Sequence, residues 1–197
     1  RQRQMCIRDR YTNDQMVILV SHAVVIGLTL IFIIGIFANF SGAHFNPIVS
    51  ILFFLQKELS IKDLCLFISI QITAAILGTI FANYIFGLSI VEISSNIRSG
   101  TNIYISEIFA SFGLLMVILL SKVGGKNIVA FNVGIYITAA IIFTSSASFA
   151  NPAVSIARIF TESFAGINPS TVIFFIGSQV IGMFGAYFLY NRLFKTK

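Results

Sequence analysis

Two short segments of this sequence are almost the same. Residues 46–51 read Asn-Pro-Ile-Val-Ser-Ile and residues 151–156 read Asn-Pro-Ala-Val-Ser-Ile, so five of the six positions are identical at an offset of 105 residues. Two of the three prolines in the chain lie in these segments. The repeat predicts that two halves of the chain share one fold, as in membrane proteins built from inverted repeats.

Each copy predicts the start of a helix. Asn is a preferred N-cap residue, and Pro is favoured at the first helical position because its nitrogen needs no hydrogen-bond partner there. A helix N-terminus carries free N–H donors and a partial positive charge. We therefore expect two helix starts that meet in a paired polar site. Its six residues are Asn46, Pro47, Ile48, Asn151, Pro152 and Ala153.

Composition and length point to a membrane protein made of helices. The chain is 57% hydrophobic and 10% charged, whereas soluble domains carry about 25% charged residues. Residues 46–55 and 151–160 are too short to cross a bilayer, so they are expected to be re-entrant half-helices buried in protein or lining a cavity. Five other apolar stretches reach the roughly 20 residues that a span needs. They are residues 16–40, 64–91, 103–121, 128–148 and 171–194.

The charges predict an orientation. If both short segments are re-entrant, the basic connectors at residues 57–62 and 122–126 and the tail at 192–197 share one side of the membrane, which is then cytoplasmic. The loop at residues 94–102 and Arg158 fall on the other side. This distribution accounts for the net charge of +6, so no nucleic-acid partner is expected. The two cysteines have neither metal-ligand spacing nor a disulfide framework.

The motifs carry a family resemblance. Residues 41–47 read Ser-Gly-Ala-His-Phe-Asn-Pro and residues 149–153 read Phe-Ala-Asn-Pro-Ala. With Gln71, Gly78 and Glu107, they resemble the major intrinsic proteins, the aquaporins and aquaglyceroporins, although Ile48 replaces the usual Ala. Residues 151–158 resemble a bacterial branch of the family linked to arsenite. The resemblance implies a passive channel of six helices and two half-helices. It also implies a homotetramer in the bacterial inner membrane, with no cofactor or metal.

The repeat offset also predicts a gap. Subtracting 105 from the span 103–121 gives positions −2 to 16, where the chain is polar, and residues 5–9 match the translation of a common sequencing adapter. We therefore expect residues 1–15 to be non-native or disordered, on a chain that lacks the first of six helices; a native polar tail is the alternative. The aquaporin-like domain is then residues 16–197, with half-repeats 16–91 and 103–194.

The resemblance assigns four positions to the selectivity filter. Counted from the motif asparagines, they are Ile26, Ala139, Ser148 and Val154. Water-selective members usually carry His at the second position and Arg at the fourth, so small neutral residues predict a wider, less polar filter. Glycerol, urea and arsenite as undissociated arsenous acid are the expected solutes besides water, and a strict water channel is the alternative.

Three further residues are expected to line or support the pore. Glu107 resembles the family glutamate that braces the second motif loop, although it could also be a carboxylate at a helix end. Arg158 lies one helical turn from Val154 and is expected to make the vestibule positive, or else to pair with Glu162. His44 is expected to line the inner pore, unless it is merely packed.

Two other classes of function remain as alternatives. Inverted repeats with broken helices also build secondary transporters, but coupled transport usually needs intramembrane ionisable residues, and the candidates are Glu107 and His44. An enzyme is disfavoured because the sequence has no catalytic pair, metal cluster or phosphate-binding loop. His22 has no motif around it and receives no role.

Overall fold

The computed structural model describes residues 14–194, and this part of the chain is all-helical. These residues form five long and two short α-helices, and two 3₁₀ turns, Lys122–Gly124 and Arg158–Phe160, follow the fourth and sixth of the seven. The helices are α1 Gln15–Ser41, α2 Pro47–Leu55, α3 Ile61–Ile85, α4 Thr101–Ser121, α5 Lys126–Phe143, α6 Pro152–Ala157 and α7 Pro169–Leu193. The predictions for residues 1–13 and for Lys195 and Lys197 lie outside the described residues.

Five of these helices, α1, α3, α4, α5 and α7, are long and apolar enough to cross a membrane. This confirms the predicted all-α membrane class. Two predicted spans were too long, because α3 ends at Ile85 and α5 at Phe143. The amide of Asn83 holds the chain after α3 by donating to the carbonyls of Ile90 and Phe160 at 3.2 and 2.8 Å. Hydropathy indicates that a segment is apolar, but it does not indicate where side-chain hydrogen bonds such as these replace the bonds of a helix.

The two short segments form half-helices, as predicted. α2 and α6 each begin at the Pro of the motif, and the preceding Asn side chain accepts a backbone N–H of the first turn. The α-helical part of the second segment is shorter than expected, because α6 ends at Ala157 and continues as a 3₁₀ turn. A third Asn-Pro pair, Asn168 and Pro169, starts α7 in the same way, with Ser170 N donating to Asn168 Oδ1 at 3.0 Å.

Two helix pairs dominate the packing, α1 with α5 and α4 with α7. α1 and α5 cross closely at Gly27 and Gly134. A Cβ atom on Gly27 would lie 2.7 Å from the Gly134 carbonyl, and one on Gly134 would lie 2.5 Å from the Gly27 carbonyl. Small residues at helix crossings let backbones approach in this way in membranes. The two half-helices pack against α3 and α7 and contact each other.

Contacts at the two ends of the bundle show which connecting segments lie together. Lys122 Nζ and Glu58 Oε1 form an ion pair at 2.6 Å, which joins the two basic connectors. On the opposite side, Asn168 N donates to Asn96 O at 2.8 Å and Ser94 N donates to Ile159 O at 2.9 Å. We call the side of the Lys122–Glu58 pair the inner side and the opposite one the outer side.

Candidate functional site

The two half-helices meet with their N-termini facing each other. Asn46 Nδ2 donates to Ala150 O at 2.7 Å, and Asn151 Nδ2 donates to Phe45 O at 2.9 Å. Each side-chain oxygen meanwhile caps its own helix, accepting Ile48 N at 3.1 Å and Ala153 N at 3.0 Å. Each Asn therefore caps one helix and ties it to the loop of the other. The structure brings the two predicted motifs together.

The loops before the two half-helices have the same unusual backbone. Positive φ angles occur at Gly42, Ala43 and Phe45 in the first loop, with values of 75°, 49° and 47°. Residues 105 positions later repeat the pattern, with φ of 59°, 45° and 45° at 147, 148 and 150. Non-glycine residues rarely adopt this region. The cross-linked asparagines hold both loops in a conformation that turns several backbone groups toward the space between the helices.

A serine and a glutamine support each motif from behind. Ser50 Oγ contacts its own motif carbonyl, Asn46 O, at 3.4 Å and accepts the amide of Gln71 at 3.0 Å. In the second half, Ser155 Oγ donates to Asn151 O at 3.0 Å, and it accepts the amide of Gln179 at 2.9 Å. Sequence reasoning identified Gln71 but neither its partner Ser50 nor the matching pair in the second half. The two serines could have been identified, because they occupy the same position in the repeated hexapeptide.

Glu107 lies at the centre of the second half. Its side chain is fully buried, with 0% exposed. Its carboxylate accepts Ala150 N at 2.6 Å, Phe149 N at 3.3 Å and the Gln179 amide at 2.7 Å. The structure therefore places Glu107 as a brace of the second motif loop. The alternative of a carboxylate exposed at a helix end is wrong.

A cavity of about 300 Å³ lies beside the paired motifs, and we call it the central cavity. Its polar edge consists of the two motif asparagines and the loop backbones, and its opposite wall is apolar. Ile26, Ser148 and Val154 line it, as the filter assignment requires. Sequence reasoning missed the apolar wall, which consists of Leu30, Ile34, Val49, Leu114, Ile118, Val129, Val133, Ile137 and Ile141.

The fourth predicted filter residue, Ala139, lies elsewhere. It is exposed on the outward face of α5, whereas Ile137 and Ile141 on the same helix line the central cavity. Residues four apart share one helix face, and a residue midway between them faces away. The assignment of Ala139 was wrong because counting back from Asn151 assumes a fixed loop length after α5. The apolar side chain of Ile141 occupies this part of the wall instead.

His44 and Arg158 lie at the two ends of the central cavity. His44 Nδ1 is 3.1 Å from Ser50 Oγ, and its ring lies 4.5 Å from the Phe53 ring. The Arg158 guanidinium lies over the Phe149 ring at 4.2 Å from its centroid. Glu162 instead accepts hydrogen bonds from Ser95. In the described part of the chain, the predicted alternative pair of Arg158 with Glu162 is not formed.

A second arginine stands near the outer end. Arg98, in the loop before α4, lies 5.2 Å from the centroid of the Phe149 ring. It is fixed by donating to the carbonyls of Phe164 at 2.8 Å and Gly166 at 3.0 Å. Partial burial lowers the pKa of this guanidinium from its usual value. The guanidinium groups of two outer segments therefore both lie against the Phe149 ring.

Comparison with known proteins agrees with this geometry. The family model for the major intrinsic proteins matches residues 3–148. The chain belongs to the major intrinsic protein family. A family member from Rhizobium meliloti (strain 1021), named Aquaglyceroporin AqpS, is 39% identical over 174 residues, which are 88% of this chain and 75% of that protein. As in a major intrinsic protein, the five apolar helices make this an integral membrane protein.

Proposed function

We propose that this protein is a passive channel for small uncharged solutes: water, glycerol and metalloid acids such as arsenous acid. The observation that carries the proposal is the pair of motif asparagines, which are bonded to each other's loops at the polar edge of a cavity whose opposite wall is apolar. The name of the Rhizobium relative, an aquaglyceroporin, supports glycerol as a solute. Channel function in a major intrinsic protein needs no catalytic chemistry, so we propose that the chain is not an enzyme.

The predicted filter positions favour solutes larger than water. Ile26 and Val154 offer no hydrogen bond, and they leave an apolar surface against which the carbon side of glycerol can lie. Ser148 lines the same cavity, and its hydroxyl has no hydrogen-bond partner among the described residues. One apolar face and a few polar groups suit a molecule with hydroxyls on one side.

Ion exclusion follows from the half-helices and from Arg158. Two helix N-termini face the central cavity, and positive dipole ends in a narrow pore disfavour cations and protons. Arg158 adds a full positive charge at the outer end, so we propose that it makes the vestibule positive. His44 lines the inner end. Anions are opposed by the apolar wall, because burying an unpaired charge is costly.

A strict water channel and a secondary transporter remain the competing functions. A secondary transporter needs an ionisable group that a solute or ion can reach, and Glu107 is fully buried with both oxygens hydrogen-bonded. The large exposed apolar surface of the helices fits a lipid bilayer and further copies of the chain. We propose a homotetramer in the bacterial inner membrane.

The test is stopped-flow light scattering on proteoliposomes under a glycerol gradient. We expect rapid re-swelling with the unchanged chain. Val154→Arg should slow it about tenfold, equivalent to about 1.4 kcal/mol on the barrier, because the long cation narrows the central cavity. Val154→Leu is the control for a change of side chain without charge. Fast water flow without glycerol entry would instead support the strict water channel, and flux driven by an ion gradient would support the transporter.

A further inference from the structure

A second cavity of about 340 Å³ lies on the outer side of the bundle, and we call it the outer cavity. Residues of α1, α3 and the segment after α6 form its walls. It combines several polar side chains with two phenylalanine rings. Its lining includes His22, Asn83, Phe86, Arg158, Thr161 and Phe164.

The two cavities follow one another along the same elements. On α1, Ile18 and His22 line the outer cavity and Ile26 lines the central one. These residues are four apart, so they share one helix face. On the opposite side Val154 lines the central cavity, and Arg158 lines both. The polar pair His22 and Arg158 thus stands one helical turn outward of the apolar pair Ile26 and Val154.

Neither member of this polar pair has a partner for its hydrogen-bonding groups. Within residues 14–194, no hydrogen bond or ion pair involves the His22 imidazole or the Arg158 guanidinium. Each is held by an aromatic contact instead, His22 edge-on to Phe164 with centroids 6.4 Å apart and Arg158 over Phe149 at 4.2 Å. Enclosed polar groups are normally paired, so the unused donors of this pair are available to a molecule in the outer cavity.

We propose that His22 and Arg158 form an outer recognition site for uncharged solutes that carry several hydroxyl groups. The proposal rests on the channel function above and deepens it. A guanidinium donates through a rigid fork, and a neutral imidazole offers one donor and one acceptor. Together they can replace the water around two neighbouring hydroxyls, while the rings of Phe86 and Phe164 in the outer cavity contact the carbon side of the solute.

The same arrangement explains how the channel can select among solutes although Ile26 and Val154 in its filter are apolar. A site built to hydrogen-bond hydroxyl groups discriminates against molecules that lack them. The positive charges of Arg98 and Arg158 repel cations, and the apolar cavity behind them opposes anions. The site therefore selects by hydroxyl pattern at the entrance, and the central cavity transmits the solutes that enter.

The first test asks whether His22 lies on the solute path. In full-length protein carrying Cys6→Ser and Cys65→Ser, His22→Cys is reconstituted and treated with the anionic reagent sulfonatoethyl methanethiosulfonate. We expect a severalfold fall in both water and glycerol flux, with slower modification when glycerol is present. Val24→Cys, on the exposed opposite face of α1, is the control and should keep its flux. Unchanged flux after complete modification of His22→Cys, or no modification at all, would overturn the proposal.

The second test asks whether the pair selects. His22→Ala and Arg158→Leu should lower the ratio of glycerol flux to 1,2-propanediol flux severalfold, because propanediol lacks one of the hydroxyl groups that the site recognises. Arg158→Leu should also admit protons, which a pH dye inside the vesicles detects. Arg158→Lys should keep the proton barrier and lose part of the polyol discrimination. Ratios equal to those of the unchanged chain would refute the site. Water flux is measured in parallel. If the unchanged chain passed water but no glycerol, the glycerol proposal would be refuted, and the effect of modifying His22→Cys on water flux would still test whether His22 lies on the path.

Discussion

The two motif loops have the same backbone but different support. Both contain positive-φ residues at matching positions, and both end in an Asn that caps its helix and bonds the opposite loop. The N–H groups of the second loop are held by the buried carboxylate of Glu107. In the first loop, the side-chain support that the structure describes is lighter and comes from Ser50, in contact with His44 and Gln71.

The backbone shape that the two loops share therefore has a different source from the side-chain hydrogen bonds that support each loop. The Asn-Pro pair and the reciprocal asparagine bonds occur in both halves, so they are sufficient to define the shared loop shape. Glu107 and its partner Gln179 form a buried polar network that only the second half shows within residues 14–194, in which Gln179 Oε1 accepts no hydrogen bond. Hydrogen bonds are strong in a buried environment, and a buried polar group left unpaired is costly. The second loop should therefore depend strongly on one residue, whereas the first should tolerate loss of its glutamine.

The largest expected effect comes from removing the brace. Glu107→Leu leaves two backbone N–H groups and one of the two N–H groups of the Gln179 amide unpaired, and each buried group left unsatisfied costs about 1–3 kcal/mol. We expect a loss of about 3 kcal/mol or more in unfolding free energy and nearly complete loss of solute flux. Glu107→Gln keeps one acceptor and should lose less. Melting temperature in detergent and flux in proteoliposomes measure both.

The matched substitution in the first half is Gln71→Leu. It removes the one hydrogen bond to Ser50 Oγ, so we expect a loss near 1 kcal/mol. If Gln71→Leu destabilised the protein as much as Glu107→Leu, the two loops would be equally reinforced and the comparison would fail.

An intermediate effect is expected at two glycines, one on the last helix of each half. A Cβ on Gly182 of α7 would lie 2.4 Å from Ile108 O and 2.9 Å from Phe112 N, whereas one on Gly78 of α3 meets nothing within 4 Å. Gly182→Ala should cost about 1–3 kcal/mol through overpacking. Gly78→Ala should stabilise the helix by about 0.5–1 kcal/mol. Thermal unfolding of both variants in detergent and in liposomes checks this. Destabilisation by Gly78→Ala in liposomes alone would show that another surface covers α3 there.

Much of this fold and site was predictable because the decisive signals are local. Asn46 and Asn151 each predict the start of a helix, and the repeat predicts that the two starts form a pair. The length of the apolar stretches predicts the membrane spans. Ala139 was misplaced because its position depends on the path of residues 144–150, which no local pattern fixes. His22 was missed for a related reason. A single histidine has no sequence partner, and its relation to Arg158 exists only once α1 and the segment after α6 are packed together.

The smallest expected effect concerns Glu162, whose hydrogen bonds with Ser95 join the second half to the loop that links the halves. The residue 105 positions earlier, in the first half, is Lys57. Hydrogen bonds from the Ser95 hydroxyl and backbone N–H lower the pKa of Glu162 below its ordinary value of 4.5. A lowered folded-state pKa stabilises the protein above pH 4.5, and this stabilisation is lost as pH falls through the folded value. Because the carboxylate is largely solvated, we expect Glu162→Gln to cost at most about 1 kcal/mol at pH 7. The difference from the unchanged chain should shrink as unfolding is measured from pH 7 to pH 3, and Ser95→Ala should reproduce it. A difference that stays constant across this range would show that the tie between the halves does not depend on the charge of Glu162.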